Sequence, residues 1–144
     1  MKFIIILLVQ LFLFSSVSKF ENAADLHVEI HNIRNGKGQI ALTLFAGKDG
    51  FPMQPERSYR YVKIPAQAGA LDIKIAGLPY GSYAIAVMHD ENFNDKVDLN
   101  FLGIPKEGTG SSNDVRNMFR GPEYEQAEFL FSPQVEKLKI KMFY

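Results

Sequence analysis

Polar residues in the middle of the chain have the spacing of a calcium-binding loop. Relative positions 1, 3, 5, 7 and 9 of this segment hold Asp90, Asn92, Asn94, Lys96 and Asp98. In EF-hand loops these positions supply oxygen ligands, with a backbone carbonyl at position 7, because Ca²⁺ prefers carboxylate, amide and carbonyl oxygens. The spacing therefore predicts a loop that calcium can order.

The match to such a loop has two departures. Position 6, normally Gly, is Asp95, and position 12, normally a bidentate Glu, is Phe101. Asp tolerates a positive φ better than most residues, and Glu107 or Asp114 would have to supply the missing carboxylate. The alternative is an Asn/Asp-rich turn whose side chains bind their own backbone. The sequence leaves both interpretations open.

His89 stands immediately before this loop and could act as a general base, with Asp90 or Glu107 as its partner. Alternatively, a histidine at a strand end anchors the loop, since a general base also needs a substrate pocket. The chain has no cysteine, no serine in a nucleophile elbow and no Gly-rich phosphate loop. We therefore expect a protein that is not an enzyme, with an envelope hydrolase or isomerase using His89 as the alternative.

The elements that carry the loop are predicted to be strands. Apolar and polar residues alternate with a period of two, as in 26–31 and 40–45, which favours strands with one apolar face. Turns rich in Gly, Pro and Asn separate about seven such segments, and residues 90–127 have no clear period. The pattern predicts an all-β fold: a seven-stranded antiparallel sandwich with one long irregular loop.

Two tyrosines are expected on one face of the third predicted strand. If Val62 and Ile64 face the core, Tyr59, Tyr61 and Lys63 share the opposite face. Exposed aromatic residues can stack on sugars or form a contact surface, whereas a central strand would bury both faces. This face supports a third hypothesis, a structural component of the cell envelope.

The first 18 residues have the layout of a secretory signal. Lys2 precedes an apolar run over residues 3–14, and small residues follow up to Ser18. The run is shorter than the roughly 20 apolar residues that span a bilayer. We expect a periplasmic or extracellular protein with no membrane span after cleavage, divided into a signal peptide (1–18), a short linker (19–24) and one domain (25–144).

The charge composition argues against two classes of partner. The chain has 16 basic and 16 acidic residues and no long run of one sign. Nucleic acids and anionic membranes both require a basic patch, so neither is expected. Without cysteine, the fold must be held by its core rather than by disulfides. We expect a monomer that binds an envelope ligand or protein of unknown identity.

A long series of residues in and after the loop has the order found in one bacterial family. They are His89-Asp90-Glu91-Asn92, Asn94, Lys96, Asp98, Asn100-Phe101, Gly103-Ile104-Pro105, Glu107, Gly110 and Ser112-Asn113. Through them the chain resembles the secreted proteins known as domain of unknown function 2141, whose members often have Gly where this chain has Phe93 and Asp95. The resemblance implies an exported immunoglobulin-like or transthyretin-like sandwich and no established activity. Our leading hypothesis is a binding or accessory module of the cell envelope.

Overall fold

A computed structural model describes residues 22–117 and 120–144 of the protein. The predicted signal peptide, residues 1–18, lies outside the described residues. In chain order the strands are β1 (Ala23–Ile33), β2 (Gln39–Phe45), β3 (Arg60–Pro65), β4 (Gly69–Pro79), β5 (Gly81–Asp90), β6 (Gly108–Ser111), β7 (Phe129–Phe131) and β8 (Lys137–Lys141). The helical elements are short: α1 (Tyr124–Ala127) and two 3-10 turns, Pro55–Arg57 and Ser112–Asp114. Within the described residues, no helix has the length and hydrophobicity needed to cross a membrane.

The strands form two sheets, which confirms the all-β class. The first sheet has the order β4-β1-β8, and the second has the order β3-β2-β5-β6 with β7 also paired to β5. Strands β6 and β7 occupy the same edge of β5, opposite Ala86–His89 and Gly81–Tyr83 respectively. The described part of the chain thus contains eight strands, where the sequence predicts seven.

One pairing differs from the antiparallel arrangement that the sequence predicts. Strand β8 runs parallel to β1, with His27 opposite Lys137 and His31 opposite Lys141. A hairpin would force antiparallel pairing. However, β8 follows β7, which belongs to the other sheet. The chain therefore enters the first sheet by crossing between sheets, and no turn dictates its direction.

The inward residues of both sheets form a single hydrophobic cluster. The first sheet contributes Leu26, Val28, Ile30, Ile73, Ile75 and Ile140, and the second contributes Leu42, Leu44, Ile85, Val87 and Phe131. These are alternate residues of their strands, as the period of two predicts. Burying each such side chain stabilises the fold by about 1.5–3 kcal/mol before entropy is counted, so this cluster can hold the sheets together without disulfides.

Strand β6 is the one that the alternation does not reveal. Its glycines allow the end of the chain to pack closely against it. A Cβ at Gly108 would overlap the ring of Tyr144, and a Cβ at Gly110 would lie 2.8 Å from the carbonyl oxygen of Lys141. Between them, Thr109 and Phe143 exchange two backbone hydrogen bonds of 2.9 Å. The strand is therefore defined by its neighbours rather than by its own side chains.

Candidate functional site

Asp90 anchors the long loop at the end of β5. Its side chain is fully buried, and its carboxylate accepts hydrogen bonds from the backbone N–H of Asn94 and Asp95 and from the amide of Gln39, at 3.1, 2.9 and 2.9 Å. Burial raises the pKa of Asp90, but these hydrogen bonds, with one from the backbone of Phe93, outweigh it and lower the pKa below its usual range. The ionised carboxylate thus holds the first turn of the loop.

The backbone of this first turn is left-handed at two positions. Phe93 has φ 62° and Asp95 has φ 59°, a conformation that favours Gly in most proteins. The positive φ expected of Asp95 is therefore observed. The two left-handed residues fold the chain back so that its N–H groups reach Asp90.

Two further carboxylates cross-link the rest of the loop. Asp98 accepts hydrogen bonds from the side-chain amides of Asn92 and Asn94, at 2.7 and 3.0 Å. Glu107, which is buried, accepts the backbone N–H of Glu91 at 2.9 Å and that of Asp98 at 3.3 Å. Residues 91 and 98 are therefore tied to the start of β6 by one side chain.

The hydrogen bonding of the loop is that of an Asn/Asp-rich turn. The side-chain oxygen of Asn94 accepts the backbone N–H of Lys96 at 2.9 Å, and Asp114 instead accepts the backbone N–H of Lys141 at 2.7 Å. Among the residues that the structure describes, no three His, Cys, Asp or Glu side chains are grouped to hold a metal ion. Calcium binding by this loop stays a prediction.

His89 connects three parts of the chain. Its ring is fully buried; Nε2 lies 2.7 Å from the carbonyl oxygen of Lys37 and Nδ1 lies 2.8 Å from the hydroxyl of Tyr144. Because a carbonyl can only accept, Nε2 carries a proton. Both ring nitrogens therefore have hydrogen-bond partners within the protein. This is the arrangement of a loop anchor.

The turn between β1 and β2 completes this polar end of the sandwich. Arg34 donates from Nε to Glu91 at 2.7 Å, and its guanidinium lies 4.5 Å from the centre of the Tyr144 ring. Gly38 has φ 70°, and a Cβ there would overlap the backbone of Asp90. The turn can approach the start of the loop this closely only because residue 38 has no side chain.

The outer face of the five-stranded sheet contains a groove of about 550 Å³. Its floor consists of outward residues of β2 and β5, in which Ala41 is opposite Met88 and Thr43 is opposite Ala86. We call this the outer groove. Its walls come from the segment after β2, the long loop, the segment after β6 and the end of the chain; their apolar members are Pro52, Met53, Pro55, Val97, Leu99, Ile104, Pro105, Val115, Pro122 and Phe143.

Aromatic residues fix the wall that follows β2. Phe45 is the last residue of β2 and is buried on the outer face. The ring of Phe51 packs edge-on against Phe45 at 5.3 Å and against Tyr124 at 5.7 Å. This small cluster holds the segment carrying Pro52 and Met53 above the sheet. The segment therefore forms a side wall of the groove and does not pack directly on its floor.

The two tyrosines noted in the sequence are partly exposed at the edge of this face. Tyr59 is 39% and Tyr61 is 40% exposed, while Val62 and Ile64 pack against the core. Tyr61 also lines the outer groove. Tyr59, which precedes β3, stacks beneath the guanidinium of Arg60 at 4.5 Å.

The outer groove has a weak signature in the sequence. An outward sheet face normally carries polar or charged residues where it meets water, whereas here three of the outward positions are Ala41, Thr43 and Ala86. Small uncharged residues at alternate positions of two paired strands could have indicated a covered face. The covering segments, however, are distant in sequence and have no period.

The chain matches one protein-family model over most of its length. Residues 28–139 match the sequence model of a family described as an uncharacterized protein conserved in bacteria, domain of unknown function 2141. The chain belongs to this family. The match begins within β1, ends within β8 and includes the whole long loop, so the anchors of the loop and most of the outer groove lie inside the family's region. No curated protein and no solved structure matches the chain.

Proposed function

We propose that this member of the family is an exported, non-enzymatic binding module of the bacterial cell envelope, with the outer groove as its ligand site. The observation that carries the proposal is the groove itself, about 550 Å³ in volume and lined mostly by apolar residues. Ligand pockets of small molecules typically have about 300–1,000 Å³ and a mostly apolar lining with a few polar groups. The ligand is then a small, largely apolar molecule.

The small residues of the floor support this role. Ala41 and Ala86 leave space above the sheet that a larger side chain would fill, and the covering segments do not occupy it. Protein interiors are usually packed without such space. An apolar concavity on a covered face is better explained by a ligand than by stability.

The long loop is the functional edge of the proposed site. It contributes Val97, Leu99 and Ile104 to the wall, and Asp90 and Glu107 hold it in place. The buried carboxylates would therefore act by positioning the wall, which needs no catalysis. Export is supported by the layout of residues 1–18, and the family resemblance supports an immunoglobulin-like or transthyretin-like arrangement of the sandwich.

The test fills the floor of the groove. Ala86→Phe would place a ring where the ligand is expected. Binding of the neutral fluorescent probe N-phenyl-1-naphthylamine to residues 25–144 should then weaken at least about tenfold. This corresponds to a loss of about 1.4 kcal/mol of binding free energy, which the apolar contacts displaced by the ring would supply. Ala70→Phe is the matched control, because Ala70 is an exposed residue of β4 in the other sheet. Thermal melts confirm that both variants fold. Equal probe binding by the wild type and Ala86→Phe would show that the groove is not the site.

A further inference from the structure

The outer groove is lined by three cationic side chains. Lys96, Arg116 and Arg120 all line it. In residues 22–117 and 120–144, the ion pairs of the structure involve none of these three side chains. The guanidinium of Arg116 lies 5.1 Å from the centre of the Phe143 ring, which also lines the groove. A positive charge is therefore held against an apolar wall.

The carboxylates of the groove do not balance these cations. Asp95 forms an ion pair with Lys63 at 2.6 Å, and it also accepts the amide of Gln39 at 2.9 Å. Glu107 directs its two oxygens at the backbone N–H groups of Glu91 and Asp98. Both acidic side chains of the lining thus already have donors, and the three cationic side chains exceed them by one formal positive charge.

We propose that the ligand of the outer groove is a single-chain amphiphile with a carboxylate head group, of the fatty-acid type. This inference rests on the proposed function and names its ligand class. The hydrocarbon chain of the ligand would lie against the apolar floor and walls, since burying it there removes apolar surface from water. Lys96, Arg116 and Arg120 would bind the head, because a cation in a partly enclosed apolar groove attracts anions and Arg matches a carboxylate with two parallel donors. A neutral ligand would cover these charges without compensating them.

The experiment compares three ligands with the same chain length and different head charges. Laurate, dodecanol and dodecyltrimethylammonium are titrated, each below its micelle concentration, against bound N-phenyl-1-naphthylamine. Laurate should displace the probe at about one tenth of the dodecanol concentration. This tenfold ratio corresponds to the binding free energy expected of one charge-assisted hydrogen bond. The cationic amphiphile should be the weakest of the three, and the preference for laurate should shrink at high salt.

Two double variants assign the preference to the groove. Arg116→Gln with Arg120→Gln should bring the laurate and dodecanol concentrations together. Lys74→Gln with Lys139→Gln removes the same charge from the exposed face of the other sheet and should keep the wild-type preference. Loss of preference in both variants would mean that overall charge, and not the groove, selects the anion.

The outcomes separate this inference from the proposed function. If dodecanol displaces the probe as well as laurate does in the wild type, the anionic head group is wrong, while the groove remains the binding site. If none of the three amphiphiles displaces the probe, the ligand class is wrong as a whole. If, in addition, Ala86→Phe leaves probe binding unchanged, the proposed function fails with it.

Discussion

The sandwich core and the polar end of the molecule are ordered by different forces. The core between the sheets consists of aliphatic and aromatic residues that are almost fully buried, such as Leu42 and Ile85. The polar end is also buried, yet it is organised by His89, Asp90 and Glu107. Each of these three uses its polar atoms to hold backbone groups of other segments.

This difference shows how an irregular loop can be ordered without strands or helices of its own. A buried backbone N–H needs an acceptor, and in this loop many of the acceptors are side-chain oxygens of Asp, Glu and Asn rather than neighbouring strands. Hydrogen bonds to ionised groups are stronger than those between neutral groups. The contribution of the core to the free energy of unfolding should therefore not change in mild acid, whereas the contribution of the polar end should.

The largest expected effect comes from the core. Leu42→Ala removes a fully buried side chain from the inner face of β2 and should lower the free energy of unfolding by about 2–5 kcal/mol, because it loses apolar burial and leaves a cavity. Urea unfolding followed by circular dichroism measures this loss. A change below about 1 kcal/mol would mean that the two sheets are not packed on each other at this point.

A smaller effect is expected at the polar end. Asp90→Asn replaces a charged acceptor of two backbone N–H groups and should cost about 1.5–3 kcal/mol near pH 7. The matched control is Asp72→Asn, since Asp72 is exposed on β4 and contacts Lys137 only at 3.8 Å; it should cost about 0.5 kcal/mol or less. If the two substitutions cost the same, Asp90 does not order the loop.

The two regions should also differ in their response to pH. The pKa of Asp90 is lowered in the folded protein, so its stabilising contribution is present above the unfolded value of about 3.9 and is lost as the pH falls through the folded value. The cost of Asp90→Asn, which does not titrate, should shrink below about pH 4, whereas the cost of Leu42→Ala should stay constant. Parallel pH profiles for the two variants would contradict the division into an apolar and an ionic region.

The smallest effect is expected from calcium. Because the carboxylates of the loop already accept N–H donors, the loop is ordered by its own hydrogen bonds, and the melting midpoint should be nearly the same in millimolar calcium and in chelator. A ligand that binds only the native state raises the midpoint once it exceeds its dissociation constant. A clear rise with calcium, lost in Asp98→Ala, would establish the calcium-ordered loop that the spacing predicts.

The sequence predicts those parts of the structure that depend on local pattern. Alternation identifies β1, β2, β4 and β8, because each has one face in the core, and a continuous apolar run identifies β5. It does not reveal β6, whose residues Gly108 and Gly110 are selected by the close approach of the last residues of the chain. The pairing of β8 with β1 is likewise absent from the pattern, since it depends on how the chain crosses between sheets.

The candidate site is predictable only in its residue types. Asp90 and Glu107 stand out by their spacing, but their partners, Gln39 and the backbone of the loop, become visible only when distant segments meet. The outer groove combines short side chains of two strands with walls from separate segments. No single stretch of sequence contains enough of it to be recognised.

The parallel pairing of the first and last strands has a consequence for folding and synthesis. The amide of Asn32 donates to the carbonyl oxygen of Met142, 110 positions further along the chain, and β8 adds to β1 just before this point. Contacts so distant in sequence are slow to form, because closing so long a loop costs chain entropy before the contact stabilises it. Until β8 arrives, one edge of β1 has unpaired backbone groups, and an open edge of this kind pairs readily with another chain. The last strand thus completes the sheet and also closes the edge at which incompletely made or truncated copies would aggregate.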